Sequence, residues 1–259
     1  MKEYKDLVND VLQKGRPQTN RTGVNTLSVF GRSFTVDLSV GFPLLTTKKV
    51  WYKGVLSELL WFISGSTNVA QLLENQNNIW NEWADENGDL GPVYGHQWRR
   101  WQNIDQLGNV ISQIKINPDS RRLLVSAWNV EDIPNMALPP CHYSFQFHVC
   151  DGKLSLAWNQ RSVDVALGLP FNLASYATLC HMVAQVCDLE VGTLTFFGGN
   201  VHIYENHIAG LKEQLTRKER WLPTLDLDPD VKNIDDFTMD DVKVIGYNPH
   251  PTIKFEVAV

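Results

Sequence analysis

The sequence lacks both an excess of basic charge and any apolar run long enough to cross a bilayer. Its 259 residues carry 29 acidic and 23 basic side chains, which gives a net charge of -6 with histidine neutral. A nucleic-acid-binding protein usually presents a basic face, so this balance argues against DNA or RNA as the main partner. A membrane-spanning helix needs about 20 consecutive apolar residues, and no stretch approaches that length. No apolar signal segment follows residues 1–5, and we expect a cytoplasmic protein with no membrane partner.

Cysteine is scarce, and its spacing excludes the common zinc motifs. The chain has 4 cysteines, none of them in a Cys-x-x-Cys pair: Cys141, Cys150, Cys180 and Cys187. This pattern is typical of reduced thiols and not of a disulfide framework. His202 and His207 stand on either side of a predicted strand-to-helix junction, which is poor geometry for two ligands of one ion. We therefore predict no metal site.

Linkers, internal repeats and low-complexity segments are also missing, so the sequence predicts one domain over residues 1–259. Apolar residues at helical spacing predict an N-terminal helix that ends at Gly15 and an apolar helix that ends at Gly65. A long buried helix is expected to open at Gly168, and Asn206 is expected to cap another helix. Residues 79–95 have no clean periodicity and are expected to be irregular. Strands are predicted over residues 26–30, 123–128, 142–148, 153–163, 198–204, 222–227 and 242–247, with a hairpin turn at Asp151-Gly152.

The segment around Cys141 combines an irregular entry, a thiol and an aromatic strand. Pro139-Pro140 cannot lie inside a helix or a central strand, so Cys141 stands where the chain arrives at a sheet. Tyr143, Phe145 and Phe147 alternate with polar residues, which predicts a strand with these three rings on one face. A cysteine at a strand rim is placed to meet a ligand, although most lone cysteines are small buried hydrophobic residues.

Glu58 is unusual because it lies among apolar residues in a predicted apolar helix. Such a carboxylate either faces solvent or is deliberately buried. In the catalytic interpretation, Cys141 is a nucleophile whose thiolate a neighbouring arginine such as Arg161 would favour. Glu58 and Tyr94 would then be the groups that move protons.

Arginines are the candidates for an anion site, because no glycine-rich loop is present to hold a phosphate. A single arginine in a polar loop, such as Arg21, is more often simply solvated. Here, however, Arg161-Ser162 and the pair Arg121-Arg122 could supply further donors to the same anion.

The remaining polar candidates suit a sugar and a base. Asn172 offers one donor and one acceptor, which match the edge of a uracil or amide ring. His202 and Tyr204 share one face of a predicted strand and could hold a sugar hydroxyl. A nucleotide with phosphate, sugar and pyrimidine would use all of these side chains together.

Several short motifs follow one another in a fixed order along the whole chain. They are Asn20-Arg21-Thr22-Gly23, Glu58-Leu59-Leu60-Trp61-Phe62, residues 79–88, residues 90–95, Asp119-Ser120-Arg121-Arg122, Pro140-Cys141-His142, Gln160-Arg161-Ser162-Val163-Asp164, Gly168-Leu169-Pro170-Phe171-Asn172, residues 199–204 and Val257-Ala258-Val259. In this order they resemble the thymidylate synthase family from end to end. Many separate motifs in the right order are far more specific than any single one.

The resemblance implies a mixed α/β fold, with a large twisted sheet flanked by helices and a homodimer packed back to back through its sheets. It implies reductive methylation of dUMP to dTMP by 5,10-methylenetetrahydrofolate, with Cys141 adding to carbon 6 of uracil. Glu58 would relay protons, and Tyr94 would assist loss of the proton from carbon 5. Asn172 would hold the ring edge and select uracil over cytosine.

The resemblance also distributes the remaining site residues between two ligands. For dUMP, Arg21, Arg161 and Ser162 would bind the phosphate, with Arg121 and Arg122 of the other subunit, and His202 and Tyr204 would bind the ribose hydroxyl. For the folate, Asp164 would bind the pterin edge and Val259 would close over the ligand. The folate rings would be lined by Ile79, Trp80, Trp83, Leu167, Gly168 and Phe171.

Some positions depart from the family pattern, and they raise an alternative activity. Asn159 and Ala166 replace aromatic residues, Trp51 stands near the place of a histidine, and Val24-Asn25 change a small loop. Lost rings could admit water, which is how the related deoxypyrimidylate hydroxymethylases capture the exocyclic methylene intermediate. The alternative is therefore a dUMP hydroxymethylase, and a dCMP enzyme is disfavoured by Asn172. Trp80 and the intact C-terminal motif favour the methylase, because water exclusion protects such an intermediate.

A non-catalytic alternative is also implied by the resemblance, because proteins of this family are expected to bind messenger RNA weakly. The net charge of -6 argues against RNA binding as the main function.

Overall fold

A mixed sheet of 6 strands forms the centre of the fold, in the order β1-β2-β6-β5-β4-β3. The structure, a computed structural model, describes residues 1–257. The strands are β1 Arg16–Gln18, β2 Thr26–Asp37, β3 Leu124–Ser126, β4 His142–Cys150, β5 Lys153–Asp164 and β6 Glu190–Tyr204. Only β5 and β6 pair in parallel among these neighbours, and each other pair is antiparallel. The mixed α/β architecture expected from the resemblance is confirmed.

Helices cover one side of this sheet. They are α1 Lys2–Lys14, α2 Tyr52–Ser64, α3 Ala70–Glu74, α4 Tyr94–Arg100, α5 Gln106–Ile116, α6 Gly168–Val186 and α7 Ile208–Thr216. Helix α6 makes the crossover from β5 to β6, packs on both strands, and also contacts α2. Most of its side chains are buried, because it has protein on all sides. The predicted central helix is confirmed.

The C-terminal part of the chain adds a small antiparallel sheet, formed by β7 Thr224–Leu227 and β8 Val242–Ile245. The segment that follows returns to the main body. There the His207 ring donates from Nε2 to the carbonyl of Glu256 over 2.7 Å and packs against Phe255. Phe255 and Glu256 are thereby held beside the start of α7.

Strong local signals fix the ends of several elements as predicted. Gly15 follows α1, and Gly65 ends α2 in the left-handed conformation with φ +72°. Asp151 and Gly152 both have positive φ in the tight turn between β4 and β5.

Other boundaries differ from the sequence predictions. Tyr94 lies at the start of α4 and not in an irregular segment. Asn206 does not cap α7, since one 3₁₀ turn, Glu205–His207, precedes that helix and His207 holds the cap position without a side-chain bond. Strand β2 continues to Asp37 and β6 begins at Glu190, because the two strands pair over their whole length. Strand β3 is shorter than predicted.

A β-bulge at Tyr143 changes which side chains of β4 face the core. His142 pairs with Gln160 and Ser144 with Asn159, so two residues of β4 oppose a single step of β5. Phe145 and Phe147 are buried, whereas Tyr143 lies with Trp128 on the opposite side. The prediction that Tyr143, Phe145 and Phe147 share one face is wrong, because strand alternation does not reveal a bulge.

The side of the sheet away from α6 carries an unusual number of uncovered apolar side chains. We call this surface the open face and define it by Phe30, Leu124, Tyr143, Asn159 and Phe197. Phe30 is 83% exposed and Phe197 46% exposed. A cavity of about 450 Å³ lies on this face, lined by Phe30, Tyr143, Asn159 and Phe197 together with Arg32 and Arg161. Large exposed apolar patches of this kind are typical of interaction surfaces.

Candidate active site

Two cavities meet at Cys141, at the end of the sheet where β4 begins and β5 and β6 end. The first, of about 450 Å³, is lined by Arg21, Cys141, Arg161, Ser162, His202 and Tyr204, among others. The second, of about 310 Å³, is lined by Glu58, Ile79, Trp80, Trp83, Tyr94, Asp164, Gly168 and Asn172, among others. Cys141, Arg21, Ser162, His202 and Tyr204 line both cavities. The structure therefore brings together most of the side chains singled out in the sequence.

The backbone around Cys141 is held by two side chains. Its N–H donates to the Tyr94 hydroxyl over 2.8 Å, and its carbonyl accepts from the Arg161 backbone N–H over 2.8 Å. The Arg161 guanidinium donates to the carbonyls of Pro140 (2.8 Å) and Pro139 (2.7 Å). Neither proline has an N–H to donate, so these two carbonyl bonds are what tie the pair to Arg161. The segment that presents the thiol is fixed in consequence.

Burial and charge act in opposite directions on the Cys141 thiol. Burial raises its pKa above the usual value, and the charges of Arg161 and Arg21 partly offset that rise. Arg161 Nη2 lies 4.0 Å from Sγ. The expectation that Arg161 favours the thiolate is correct in direction, but burial outweighs the arginine and the net pKa is raised. In the free protein the thiol is thus mostly protonated at neutral pH.

Glu58 is buried, which resolves the two readings that the sequence left open. It projects from α2 into the second cavity, where Trp80 Nε1 donates to its Oε1 over 2.8 Å. Burial raises the pKa of Glu58 to about 7, and the hydrogen bond from Trp80 opposes the rise. A carboxyl group with this pKa exchanges protons near neutral pH, as a general acid or base requires.

A stack of buried rings joins Cys141 to the core. The His142 ring lies 4.4 Å from that of Tyr94, centroid to centroid, and His142 Nδ1 is 2.8 Å from the Tyr176 hydroxyl. Burial lowers the pKa of His142 to about 3, so its imidazole is neutral in the working range. Burial also raises the pKa of Tyr94 well above its usual value. The Tyr94 hydroxyl therefore keeps its proton while it accepts from Cys141.

The candidate anion-binding groups divide into two sets. Arg21, Arg161 and Ser162 line the first cavity, and Asn20 shapes the Arg21 loop by accepting from the Thr22 backbone N–H over 2.8 Å. Arg121 and Arg122 are exposed in the turn before β3, and neither is among the lining residues of the two cavities. The pair therefore takes no part in the lining of either cavity of its own chain.

Asn172, His202 and Tyr204 face the same space. Asn172 lies in the second turn of α6, and its Oδ1 accepts from Gln160 Nε2 over 3.0 Å. His202 and Tyr204 share a face of β6, as predicted, with ring centroids 5.3 Å apart. Asn200 Oδ1 lies 3.0 Å from His202 Nδ1, and an amide oxygen only accepts, so the proton of this bond is on Nδ1. The Nε2 atom remains for a ligand.

The residues expected to line the folate rings are only partly assembled. Ile79, Trp80, Trp83, Asp164 and Gly168 line the second cavity. Leu167 and Phe171 instead pack against the core and are not among its lining residues. Both side chains are half-buried. Val259 lies outside the described residues, although Val257 lines the second cavity.

The positions that depart from the family pattern lie away from the two cavities. Asn159 is on the open face, where its Nδ2 donates to Ser144 Oγ over 3.2 Å. Ala166 is fully buried, and its carbonyl accepts from Lys48 Nζ over 2.5 Å. Neither residue is among those that line the cavities that meet at Cys141. These two substitutions thus fall at positions outside the lining of the cavities that meet at Cys141.

Sequence reasoning assigned no role to Gln160 and His142, yet both line the second cavity. Gln160 is buried and donates from Nε2 to Asn172 Oδ1 and, over 3.1 Å, to the Ser162 carbonyl. Strand alternation places Gln160 on the same face as Ser162 and Asp164, which was the available signal. For His142, the β-bulge breaks the strand alternation, so the sequence pattern does not predict which face this residue occupies.

Within residues 1–257, no group of three or more histidine, cysteine, aspartate or glutamate side chains is arranged to hold a metal ion. Over the same residues, no helix combines the length and the apolar character needed to cross a membrane.

Comparison with known protein families gives one match. A family model described as thymidylate synthase matches residues 2–259. The match includes the Arg21 loop, α2, the strands around Cys141, and α6, which are the elements that build the two cavities. It thus covers essentially the whole chain.

Proposed function

The chain belongs to the thymidylate synthase family, and from this premise we propose that it converts dUMP to dTMP by reductive methylation. Enzymes of this family act on dUMP with methylenetetrahydrofolate, so the chain is an enzyme that methylates or hydroxymethylates dUMP. The observation that carries the proposal is the position of Cys141, which lines both a cavity with arginines and a cavity with aromatic rings. One thiol can thus reach a nucleotide and a flat co-substrate together.

The first cavity suits the phosphate and the sugar. Arg21 and Arg161 place guanidinium groups beside Ser162, and charge-assisted bonds to a phosphate are the strong ones. His202 Nε2 and the Tyr204 hydroxyl are available to the 3′-hydroxyl of the sugar. With the phosphate and the sugar held, the base extends past Cys141 toward Asn172.

Covalent activation of the uracil is assigned to Cys141. The thiol first gives up its proton to water, the thiolate sulfur adds to carbon 6, and the electron pair of the carbon 5–carbon 6 bond moves toward carbon 4 to give an enolate. Carbon 5 of this enolate is the nucleophile that forms the new carbon–carbon bond. Asn172 faces the ring edge, where it can donate to the carbon 4 oxygen and accept from the N3–H of uracil.

Proton transfer is assigned to Glu58 and Tyr94. Glu58, with its pKa near 7, can hold and release a proton through water close to the base. Tyr94 accepts from the backbone of Cys141 and lines the same cavity, so its hydroxyl is placed to assist loss of the carbon 5 proton.

The second cavity suits the folate. Ile79, Trp80 and Trp83 provide apolar and aromatic surfaces, and the Asp164 carboxylate provides an acceptor for a ring edge with N–H groups. The folate supplies the one-carbon unit and, in the methylation, also the hydride. Asp164 itself is positioned by the backbone N–H groups of Ala166 and Leu167, which donate to its Oδ1 over 2.9 Å and 3.2 Å.

The placement of Asn159 and Ala166 favours methylation over hydroxymethylation. Both positions suggested space for water at the exocyclic methylene, yet neither lines the cavities, and Trp80 is buried against Glu58. Tryptophan rings beside the exocyclic methylene would limit the access of water to this intermediate. The alternative, a dUMP hydroxymethylase, keeps the same thiol and the same folate.

We further propose a single domain, a cytoplasmic location, and a homodimer formed through the open face. The exposed rings of Phe30 and Phe197 and the distance of Arg121 and Arg122 from the cavities of their own chain support the dimer. Weak binding of messenger RNA remains a secondary expectation.

Replacement of Cys141 by serine tests the proposal against a non-catalytic binding role. The variant Cys141→Ser should lose turnover of dUMP with methylenetetrahydrofolate and should keep dUMP binding, measured by calorimetry. A wild-type protein that binds RNA but shows no turnover, with RNA binding unchanged in the variant, would contradict the enzyme proposal. Cys150→Ser, at an exposed position, is the matched control and should retain full activity.

A further inference from the structure

Trp158 is a fully buried residue of β5 with no contact to either cavity, and it carries one polar hydrogen that finds a specific partner. Its Nε1 donates to Gln160 Oε1 over 3.2 Å. The indole ring stacks on Tyr176, with centroids 5.3 Å apart and planes 16° apart, and it also contacts Phe196. The ring is thus held in one orientation, and the direction of its N–H is fixed with it.

The orientation of the Gln160 amide is in turn fixed by a hydrogen-bond donor on one side and a hydrogen-bond acceptor on the other. The indole N–H is a donor only, so it requires the amide oxygen of Gln160. On its other side Gln160 Nε2 donates to the Ser162 carbonyl over 3.1 Å, and a backbone carbonyl only accepts. A flip of the amide would place two donors together at Trp158 and two acceptors together at Ser162. Gln160 is buried, so water would not relieve either conflict.

The second hydrogen of Gln160 Nε2 determines how Asn172 faces its ligand. It donates to Asn172 Oδ1 over 3.0 Å. The reverse orientation of Asn172 would set its own NH₂ group against that of Gln160. The oxygen therefore stays on the Gln160 side, where it can still accept a second bond, and the Nδ2 donors face the cavity.

We propose that Trp158 is a positioning residue that acts through Gln160 and fixes the amide of Asn172 in the orientation that selects uracil. The inference rests on the proposed function, because it assigns the pyrimidine edge to Asn172. Uracil presents an acceptor at carbon 4 and a donor at N3, whereas cytosine presents the reverse pair. Only the flipped Asn172 amide matches cytosine, and the chain of bonds from Trp158 opposes that flip.

The variant Trp158→Phe removes the N–H and keeps an aromatic ring that can stack on Tyr176. We expect the dissociation constant for dUMP to rise about five-fold, the value of one ordinary hydrogen bond, and that for dCMP to stay constant or fall. Binding of deoxyribose 5-phosphate, which lacks the base, should not change. Calorimetry on the wild type and the variant measures all three ligands.

Trp98→Phe is the matched control. Trp98 is also a buried tryptophan, but it packs on Phe62 and Phe145 and has no contact with Gln160. If a tryptophan has a purely structural role, its replacement by phenylalanine should weaken the binding of dUMP and of dCMP in the same proportion. The inference would be overturned if the ratio of the dCMP and dUMP dissociation constants in Trp158→Phe were unchanged from the wild type and equal to that in Trp98→Phe.

Gln160→Glu gives a second test that does not depend on how Trp158→Phe folds. A carboxylate at this position can accept from Trp158 but cannot donate to Asn172, so it favours the flipped Asn172 amide. The dissociation constant for dCMP divided by that for dUMP should fall, and it should fall further than in Trp158→Phe. A ratio that stays at the wild-type value would overturn the inference.

The same data separate this inference from the proposed function. A wild-type protein that shows no preference for dUMP over dCMP would overturn the proposed function itself. A wild-type preference that persists unchanged in Trp158→Phe and Gln160→Glu would overturn only the role of Trp158.

Discussion

At the scale of single residues, burial is the main influence on the pKa values of the groups at the site. Burial raises the pKa of Glu58 to about 7, lowers that of His142 to about 3, and raises that of the Cys141 thiol. For Cys141 and also for Tyr204, arginine charges oppose the effect of burial on the pKa. The site thus holds a neutral imidazole, a carboxyl group that titrates near neutral pH, and a thiol that needs activation.

Glu58→Gln should change the pH profile of turnover. The wild-type profile should contain a limb with an apparent pKa near 7 from Glu58, and the variant should lose this limb along with about 100-fold or more of its activity. Steady-state kinetics between mildly acid and mildly alkaline pH measure both effects. Glu74→Gln, at an exposed position of α3, is the control and should leave the profile unchanged. A variant that retains the limb would assign it to another group.

The same variant should alter stability in a pH-dependent way. The pKa of Glu58 is higher in the folded protein than its ordinary value of 4.5, so folding loses stability as pH rises from about 4.5 through about 7. Above that window Glu58→Gln removes the cost of a buried carboxylate, which is roughly 3 kcal/mol for this shift. Urea denaturation should show the variant more stable than the wild type at alkaline pH and similar at acid pH. The opposite sign would contradict the burial of Glu58.

Arg21→Ala should slow alkylation of Cys141. Removal of the Arg21 charge leaves burial less opposed, so the thiol pKa should rise further and the rate with iodoacetamide at neutral pH should fall roughly two- to five-fold. The comparison is made in a Cys150→Ser background, because Cys150 is exposed. Arg220→Ala, whose guanidinium binds Asn248, should leave the rate unchanged. If Arg21→Ala and Arg220→Ala lowered the alkylation rate equally, the result would argue against a specific effect of the Arg21 charge.

At the scale of elements, the ends of helices and strands place the catalytic groups. The bulge in β4 turns His142 inward behind Cys141, and the start of α4 brings Tyr94 to the Cys141 backbone. The end of α2 at Gly65 lets the chain pass close to Arg99, which binds Asp105 and Asp235. Small changes at these ends should therefore have effects beyond the turn itself.

Gly65→Ala should destabilise the protein more than Gly152→Ala. Both glycines have positive φ, and an alanine in that conformation costs about 1–2 kcal/mol. A Cβ at Gly152 meets no atom within 4 Å, whereas one at Gly65 would lie 2.9 Å from the Arg99 Cβ. Gly152→Ala thus measures the backbone strain alone, and Gly65→Ala adds the steric conflict. If urea denaturation showed that both variants lose the same free energy of unfolding, α4 would have adjusted to the added methyl group at no cost in stability.

The elements that the sequence predicts correctly are those with local signals. Gly15, Gly65 and the Asp151-Gly152 turn mark their boundaries by backbone conformation, and the uniform apolar character of α6 marks its burial. The bulge at Tyr143 depends on pairing with β5, which is distant from any local pattern. The buried state of Glu58 likewise depends on Trp80.

The site could be assembled from the sequence only with the aid of the family resemblance. Motif order placed Arg21, Cys141, Asn172 and Tyr204 together, and the structure places all four around the second cavity. The packing of Leu167 against the core and the hydrogen bonds of Gln160 follow from tertiary structure, so no pattern in the sequence revealed them.

At the scale of the whole molecule, the open face leaves the sheet covered on one side only. Phe30 and Phe197 are exposed there, while Arg121 and Arg122 lie in the exposed turn before β3. A second copy that packs on this face would cover the rings and could bring its arginines to the first cavity. The proposed homodimer would therefore link assembly to phosphate binding.

Phe197→Asp should separate the proposed dimer. Burial of an unpaired carboxylate costs several kcal/mol, so the dissociation constant of the dimer should rise by about 100-fold or more, and activity should fall with it. Sedimentation measures the assembly. Trp221→Asp replaces another exposed ring, 94% exposed and outside the open face, and should change neither assembly nor activity. A Phe197→Asp protein with wild-type mass and activity would place the interface elsewhere.

The central claim is tested most directly by analysis of the products formed from dUMP and methylenetetrahydrofolate by the purified protein. Mass spectrometry identifies the nucleotide, and absorbance follows the folate. The account predicts that the nucleotide gains a methyl group while dihydrofolate accumulates in equal amount. A nucleotide that gains a hydroxymethyl group while tetrahydrofolate is released would contradict it, and would show that water reaches the methylene despite the tryptophan walls.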